Sequence, residues 1–282
     1  MSRATTIANS ISIPPRPEIL VEISREMERP AANVDKIAAS LKRDVTLYGT
    51  VLRIVNSAAF NTGGNVTSVE RAILLLGLHR IVRIVQVSTL QTQLGKAMPI
   101  NRFWDTATEV AYVMSSLAQQ FTGLSKEDAY TVGMFHDFGI PLMMQAFPDY
   151  KGLLMEVNRN PLLRLAAEST ERYGFNHYDV GYELGKLWSV PDSLNQAIYL
   201  QPQLEDVFAE KVAIDNLEEI KTLLALLDVA KNISGNHRKF WRSAHELTQN
   251  DVSPASLDHL GLSEPDFVDL QDDYFERLEQ RL

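Results

Sequence analysis

Two side chains able to do chemistry stand where packing alone would favour Leu or Ala. His136 and Asp137 are neighbours in Val132-Gly133-Met134-Phe135-His136-Asp137-Phe138-Gly139. An imidazole beside a carboxylate binds transition metals or moves protons. The surrounding apolar residues have a helical period, so the pair is expected on a helix that Gly139 stops. Adjacent helical residues point about 100° apart, so the two side chains meet one ion only from a shared edge. They then need further nitrogen or oxygen donors from other helices. A lone His-Asp dipeptide is more often a buried histidine held by its neighbour or by backbone, so the dipeptide by itself favours structure over chemistry.

The elements that would position this pair also read as helices. Ile19, Leu20, Ile23 and Met27 form one stripe, and Val34, Ile37, Ala38 and Leu41 form the next, with Asn33 as its cap. Asp44 caps a helix carrying Leu47, Val51, Leu52 and Val55, and Ser125 caps the one that leads to His136. Thr67-Ser68-Val69-Glu70 has the capping-box pattern, with Thr67 as cap. Gly63-Gly64-Asn65 reads as a turn, and Gly95 to Ile100, with Pro99, as the main boundary. Residues 1–12 read as a loose leader, and Gln203 to Asn216 as an exposed acidic loop. No run of useful length alternates as a strand would. The expected class is all-α.

Composition bounds the function. The chain has 282 residues, 45% hydrophobic, which supports a sizeable core. It has no cysteine, so disulfides and thiolate metal sites are excluded, in keeping with a reducing interior. No apolar run approaches a membrane span, and the start has no apolar signal core, so a soluble cytoplasmic protein is expected. The net charge of −9 argues against a dedicated nucleic-acid binder. Lys42, Arg43, Arg53, Arg71, His79, Arg80 and Arg83 make the N-terminal part locally basic, but they are scattered, and a solvated surface is the favoured reading over a phosphate or nucleic-acid site.

Several motifs occur in a specific order. They are Ile13-Pro14-Pro15-Arg16-Pro17; Leu52-Arg53-Ile54-Val55-Asn56-Ser57-Ala58-Ala59-Phe60; Ser68-Val69-Glu70-Arg71-Ala72-Ile73 with Leu76-Gly77; Gly133 to Gly139; and His177 with Gly181, Leu184, Trp188 and Pro191. Together they resemble the HDOD family, the HD-related output domains, which are degenerate relatives of HD-type metal phosphohydrolases. The resemblance covers most of residues 13–233. It implies an N-terminal helical lobe over 13–98 packed on a degenerate HD-type lobe over 99–250, with 251–282 left as a C-terminal helical extension.

The resemblance also implies where metal ligands would lie. His136 and Asp137 match the pair, Asp228 resembles the later aspartate, and His177 resembles an extra ligand of larger metal centres. The opening histidine is replaced by Thr106, and Gln201-Pro202 stands where relatives often have two histidines. A hydroxyl is no substitute for imidazole on a transition metal, and phosphate-ester hydrolysis needs the metal to activate water. No catalytic residue, metal or cofactor is therefore expected. The expected role is a non-catalytic bacterial-type signal-transduction module that binds signalling proteins, with room for a small ligand in the vestigial pocket. The alternatives are a metal-dependent phosphohydrolase acting on a nucleotide or cyclic dinucleotide, and nucleic-acid binding through the basic N-terminal helices.

Overall fold

The computed structural model describes residues 3–57, 60, 65–97, 101–160, 163–242 and 252–280. Ala58 and Ala59 of the motif that ends at Phe60, the Gly63-Gly64 turn, and Met98 to Ile100 of the expected boundary lie outside the described residues. Every regular element described is helical. In chain order these are α1 (Arg3–Ser10), α2 (Glu18–Met27), α3 (Val34–Lys42), α4 (Val45–Val55), α5 (Val69–Leu76), α6 (Leu78–Ala97), α7 (Asn101–Phe121), α8 (Lys126–Phe135) and α9 (Gly139–Ala146). There follow α10 (Tyr150–Arg159), α11 (Leu165–Tyr173), α12 (His177–Leu187), α13 (Asp192–Tyr199), a 3₁₀ turn over Gln201–Gln203, α14 (Leu204–Phe208), α15 (Leu217–Arg242), α16 (Pro254–Leu260) and α17 (Glu264–Glu279).

Local chemistry sets many of these limits. Asn33 accepts from the Lys36 amide at 3.1 Å, Asp44 from Leu47 at 2.9 Å and Ser125 from Asp128 at 3.1 Å, each satisfying a donor at a helix start. At α5 the cap is Ser68, which accepts from the Arg71 amide, one residue later than the sequence pattern suggests. Glu70, which also bonds to Ser68, pairs with Lys42. Gly77 separates α5 from α6 with φ +87°, a backbone state that other residues rarely adopt.

Helix α6 is buried nearly all round from Ile81 to Leu90, where Ser88 and Thr89 donate their hydroxyls back to the Ile84 and Val85 carbonyls. Such a helix belongs inside. It packs on α2, α4 and α5 on one side and α8 on the other. Helix α8 lies along α7, and α15 packs on α7, α8, α13 and α16. Gly95, expected at a boundary, lies within α6. The buried apolar side chains of the first helices and of α7–α15 form one continuous core.

Two segments differ from the sequence expectation. Residues 3–10 form a helix instead of a loose leader. Ile7 and Ile11 are buried, and Arg3 pairs with the buried Asp179 of α12 at 3.0 Å. Within the expected acidic loop, α14 buries Val207 in a small satellite core with Leu200, Ile220 and Leu224. In both, a few apolar residues gain burial from a surface that only the folded chain supplies. The proline segment is likewise fixed by distant residues. Trp188 donates its Nε1 hydrogen to the Pro14 carbonyl at 2.9 Å, Gln86 donates to the Trp188 carbonyl at 3.0 Å, and Arg16 donates to Ser189 Oγ at 2.9 Å.

Candidate functional site

The His-Asp pair is not on a helix. Helix α8 ends at Phe135, His136 is its C-cap, and Gly139 opens α9 instead of closing α8. The turn is tight: the Phe138 amide bonds to the Phe135 carbonyl at 3.1 Å and the Ile140 amide to the Asp137 carbonyl at 2.9 Å. Buried Phe135 and Phe138 anchor it on either side, 4.7 Å apart in an edge-to-face contact. The flanking glycines explain its position. A Cβ on Gly133 would lie 2.5 Å from the Ala111 Cα, and one on Gly139 would lie 1.8 Å from the His177 carbonyl oxygen. Only glycine lets α8 close on α7 and lets α9 close on the start of α12.

This geometry determines what each side chain meets. His136 Nδ1 donates to the Gly133 carbonyl at 2.7 Å, and Nε2 faces Asp137 Oδ2 at 3.1 Å. The other Asp137 oxygen, Oδ1, lies 3.7 Å from Lys231 Nζ on α15, an ion-pair distance beyond hydrogen-bond reach. Lys231 donates to Gln201 Oε1 at 2.9 Å and sits 5.9 Å from the Tyr178 ring centre. The Gln201 amide donates to the His136 carbonyl at 2.9 Å and the Ile198 carbonyl at 2.8 Å. Burial disfavours ionisation of Asp137, but attraction from His136 and Lys231, with the His136 hydrogen bond, outweighs it and holds the carboxyl below the usual carboxylate range. Burial likewise works against charge on Lys231, and Asp137 with Tyr178 overcomes it, raising the ammonium above its ordinary value.

The remaining expected positions are arranged differently. His177 is buried at the start of α12, with its ring 4.0 Å from that of Tyr178 and Nδ1 without a hydrogen-bond partner. Burial pushes it down to about 4, with Asp137 opposing, so it is neutral near pH 7. Asp228 turns to the C-terminal segment. Its Oδ2 accepts from the Ser253 amide at 2.9 Å and from Ser256 Oγ at 2.7 Å. Burial raises its carboxyl above the ordinary value, and the two serine hydrogen bonds oppose this only in part. Thr106 lies half-buried on α7, and Asp105 beside it is exposed.

These residues do not fit a metal centre of the HD type. Both edges of His136 are engaged, an ammonium faces the second oxygen of Asp137, and Asp228 is committed to Ser253 and Ser256. Among the described residues no group of three or more His, Cys, Asp or Glu side chains is placed to hold an ion. The sequence reading missed Lys231 and Tyr178. The available signal was Lys231 itself, a cation three residues after Asp228 in the apolar run Leu223 to Ile233. Beside Lys231 lies a cleft of about 290 Å³ lined by Tyr178, Gln201, Asp228, Asn232, Asn236 and three leucines.

The basic N-terminal surface is largely neutralised. Lys42 pairs with Glu70, Arg43 with Glu22, Arg80 with Glu127 and Arg83 with Asp128. Asn56 is structural: its amide donates to the Leu52 and Val66 carbonyls and its oxygen accepts from the Val66 amide at 2.7 Å.

An all-helical core with a His-Asp turn between two close helix packings defines an HD-like class of protein. Residues 13–204 match the model of the HDOD domain, and the chain belongs to the HDOD family. An uncharacterized protein of Treponema pallidum (strain Nichols) is 26% identical over 199 residues, 69% of this chain. The match spans 39% of that relative's length. Among solved structures, an HDOD domain protein of unknown function from Geobacter sulfurreducens superposes with a TM-score of 0.68 at 19% identity, over 98% of this chain and 95% of that one. A candidate phosphohydrolase from Shewanella amazonensis SB2B gives 0.68 at 19% identity, over 99% and 98%. A candidate signal transduction protein from Marinobacter aquaeolei VT8 gives 0.64 at 21% identity, over 95% of this chain and 58% of that one. At these identities the likeness concerns the fold. No helix among the described residues is long and apolar enough to cross a membrane.

Proposed function

We propose that this chain is a non-catalytic signal-transduction module that acts through contact with other proteins. The observation that supports this is the closed state of the HD turn. His136 and Asp137 are engaged by Gly133, Lys231 and each other, and Asp228 points to Ser253 and Ser256. Hydrolysis of a phosphate ester at such a site needs a cation to activate water and balance charge on the phosphoryl oxygens. The donors here do not converge on one. The cleft beside Lys231 offers room for a small ligand that would bias such contacts. The name of the Marinobacter structure agrees with a signalling role, and that of the Shewanella structure with the phosphohydrolase alternative.

The test is metal analysis of the purified protein together with turnover assays on nucleotides and cyclic dinucleotides in Mn²⁺, Fe²⁺ or Mg²⁺. The expected result is no stoichiometric metal and background turnover. A stoichiometric metal with turnover lost in His136→Ala would replace this reading with the phosphohydrolase. The pairing of Lys42, Arg43, Arg80 and Arg83 with carboxylates favours no nucleic-acid reading.

A further inference from the structure

The HD turn contains a carboxylate that needs a positive charge, and one is supplied from within the chain. We infer that Lys231 is a built-in cation: its ammonium, seated by Gln201, neutralises Asp137 in place of an exchangeable metal ion. The inference rests on the non-catalytic reading above. Three features carry it. First, Lys231 Nζ stands 3.7 Å from the one Asp137 oxygen that His136 leaves open. Second, the ammonium is itself seated by a neutral acceptor, Gln201 Oε1 at 2.9 Å, while the Gln201 amide holds the carbonyl of His136. One side chain therefore joins the cation to the turn it neutralises. Third, Gln201 is one of the positions at which the expected ligand set is broken, so the residue that fails as a metal ligand is the one that holds the ammonium. A lysine head suits this role because it is a compact point charge with three rotatable donors, where an arginine would impose a planar fork.

The arrangement predicts strong coupling between the two charges. Removing one partner leaves the other half-buried and unbalanced, whereas removing both leaves a neutral pocket. The experiment is a thermal-unfolding cycle on the full chain with Lys231→Met, Asp137→Asn and the double variant, repeated with EDTA and with millimolar MnCl₂. Each single variant is expected to lose about 5 °C or more, and the double to recover at least half of the worse loss. The wild type is expected to be indifferent to EDTA and to MnCl₂. If Lys231→Met does not fold, the double variant decides: folding supports the inference, and failure overturns it. Additive losses with no metal response overturn the inference and leave the non-catalytic reading standing. Stoichiometric Mn²⁺ binding by the wild type without turnover also overturns the inference alone, while binding with turnover overturns both.

Discussion

Asp137 and Asp228 are both partly buried aspartates near Lys231, yet their nearest partners differ in kind. Asp137 is set in a turn fixed by backbone contacts and is surrounded by positive or ionisable partners, so its carboxyl is held below the ordinary range. Asp228 meets a backbone amide and a hydroxyl, and burial pushes its carboxyl up. Both feel the Lys231 ammonium, but only for Asp137 does attraction outweigh burial. One carboxylate serves as half of an ion pair, and the other tethers the C-terminal segment through Ser253 and Ser256.

The comparison is open to attack at its most rigid point. Gly139→Ala places a methyl 1.8 Å from a backbone carbonyl, which cannot move as a flexible side chain would. A loss of about 3 kcal/mol or more is expected in urea unfolding. Gly152→Ala is the control, because nothing lies within 4 Å of its added Cβ. Equal effects at the two glycines would mean that the HD turn is not a close-packed site.

The next effect is a pH slope from His177. Its folded value of about 4 lies below the ordinary 6.5, so between those values the unfolded chain binds more protons than the folded one. This stability is fully present above pH 6.5 and is lost as the pH falls toward 4. The expected loss is up to about 3 kcal/mol. Urea titrations at pH 7 and pH 5 measure it, and His177→Phe should flatten the slope. A slope unchanged in that variant would assign the acid sensitivity to another group.

The smallest effect separates the two aspartates most directly. Asp228→Asn keeps an acceptor for Ser253 and Ser256 and removes a half-buried charge, so its stability should stay within about 1 kcal/mol of wild type. Asp228→Ala leaves those donors without an acceptor and should cost about 1–3 kcal/mol. If the asparagine variant loses as much as the alanine one, the charge of Asp228 matters and the contrast with Asp137 weakens.

Much of the fold was legible because it is encoded locally. The stripes of α2 to α4 follow the helical period, and Asn33, Asp44 and Ser125 cap as their residue types imply. The HD turn was misplaced onto a helix because Phe135 and Phe138 continue an apolar period across it. What ends α8 is the approach of the Gly139 backbone to His177, a contact between distant segments. Helix α1 and helix α14 went unread because each depends on a surface made elsewhere: α12 for Ile7 and Arg3, and the Ile220–Leu224 face for Val207. The chemistry of the site was half legible. The resemblance drew attention to Gln201, but the lysine that bonds to it lies 30 residues further on. The reach of a lysine side chain cannot be read from its spacing.

The bond from Trp188 to Pro14 has a consequence for how the molecule is assembled. It joins residues 174 positions apart, and Arg3 reaches Asp179 across a similar span. Closing a loop of that length costs about 4.5 kcal/mol of chain entropy beyond a constant term. During synthesis residues 3–14 leave the ribosome well before α12 does, so they wait for that partner. The contacts of this segment with α12 and Trp188 form only once those residues exist, so in a chain that folds as it is made the segment acts as a latch and not as a nucleus.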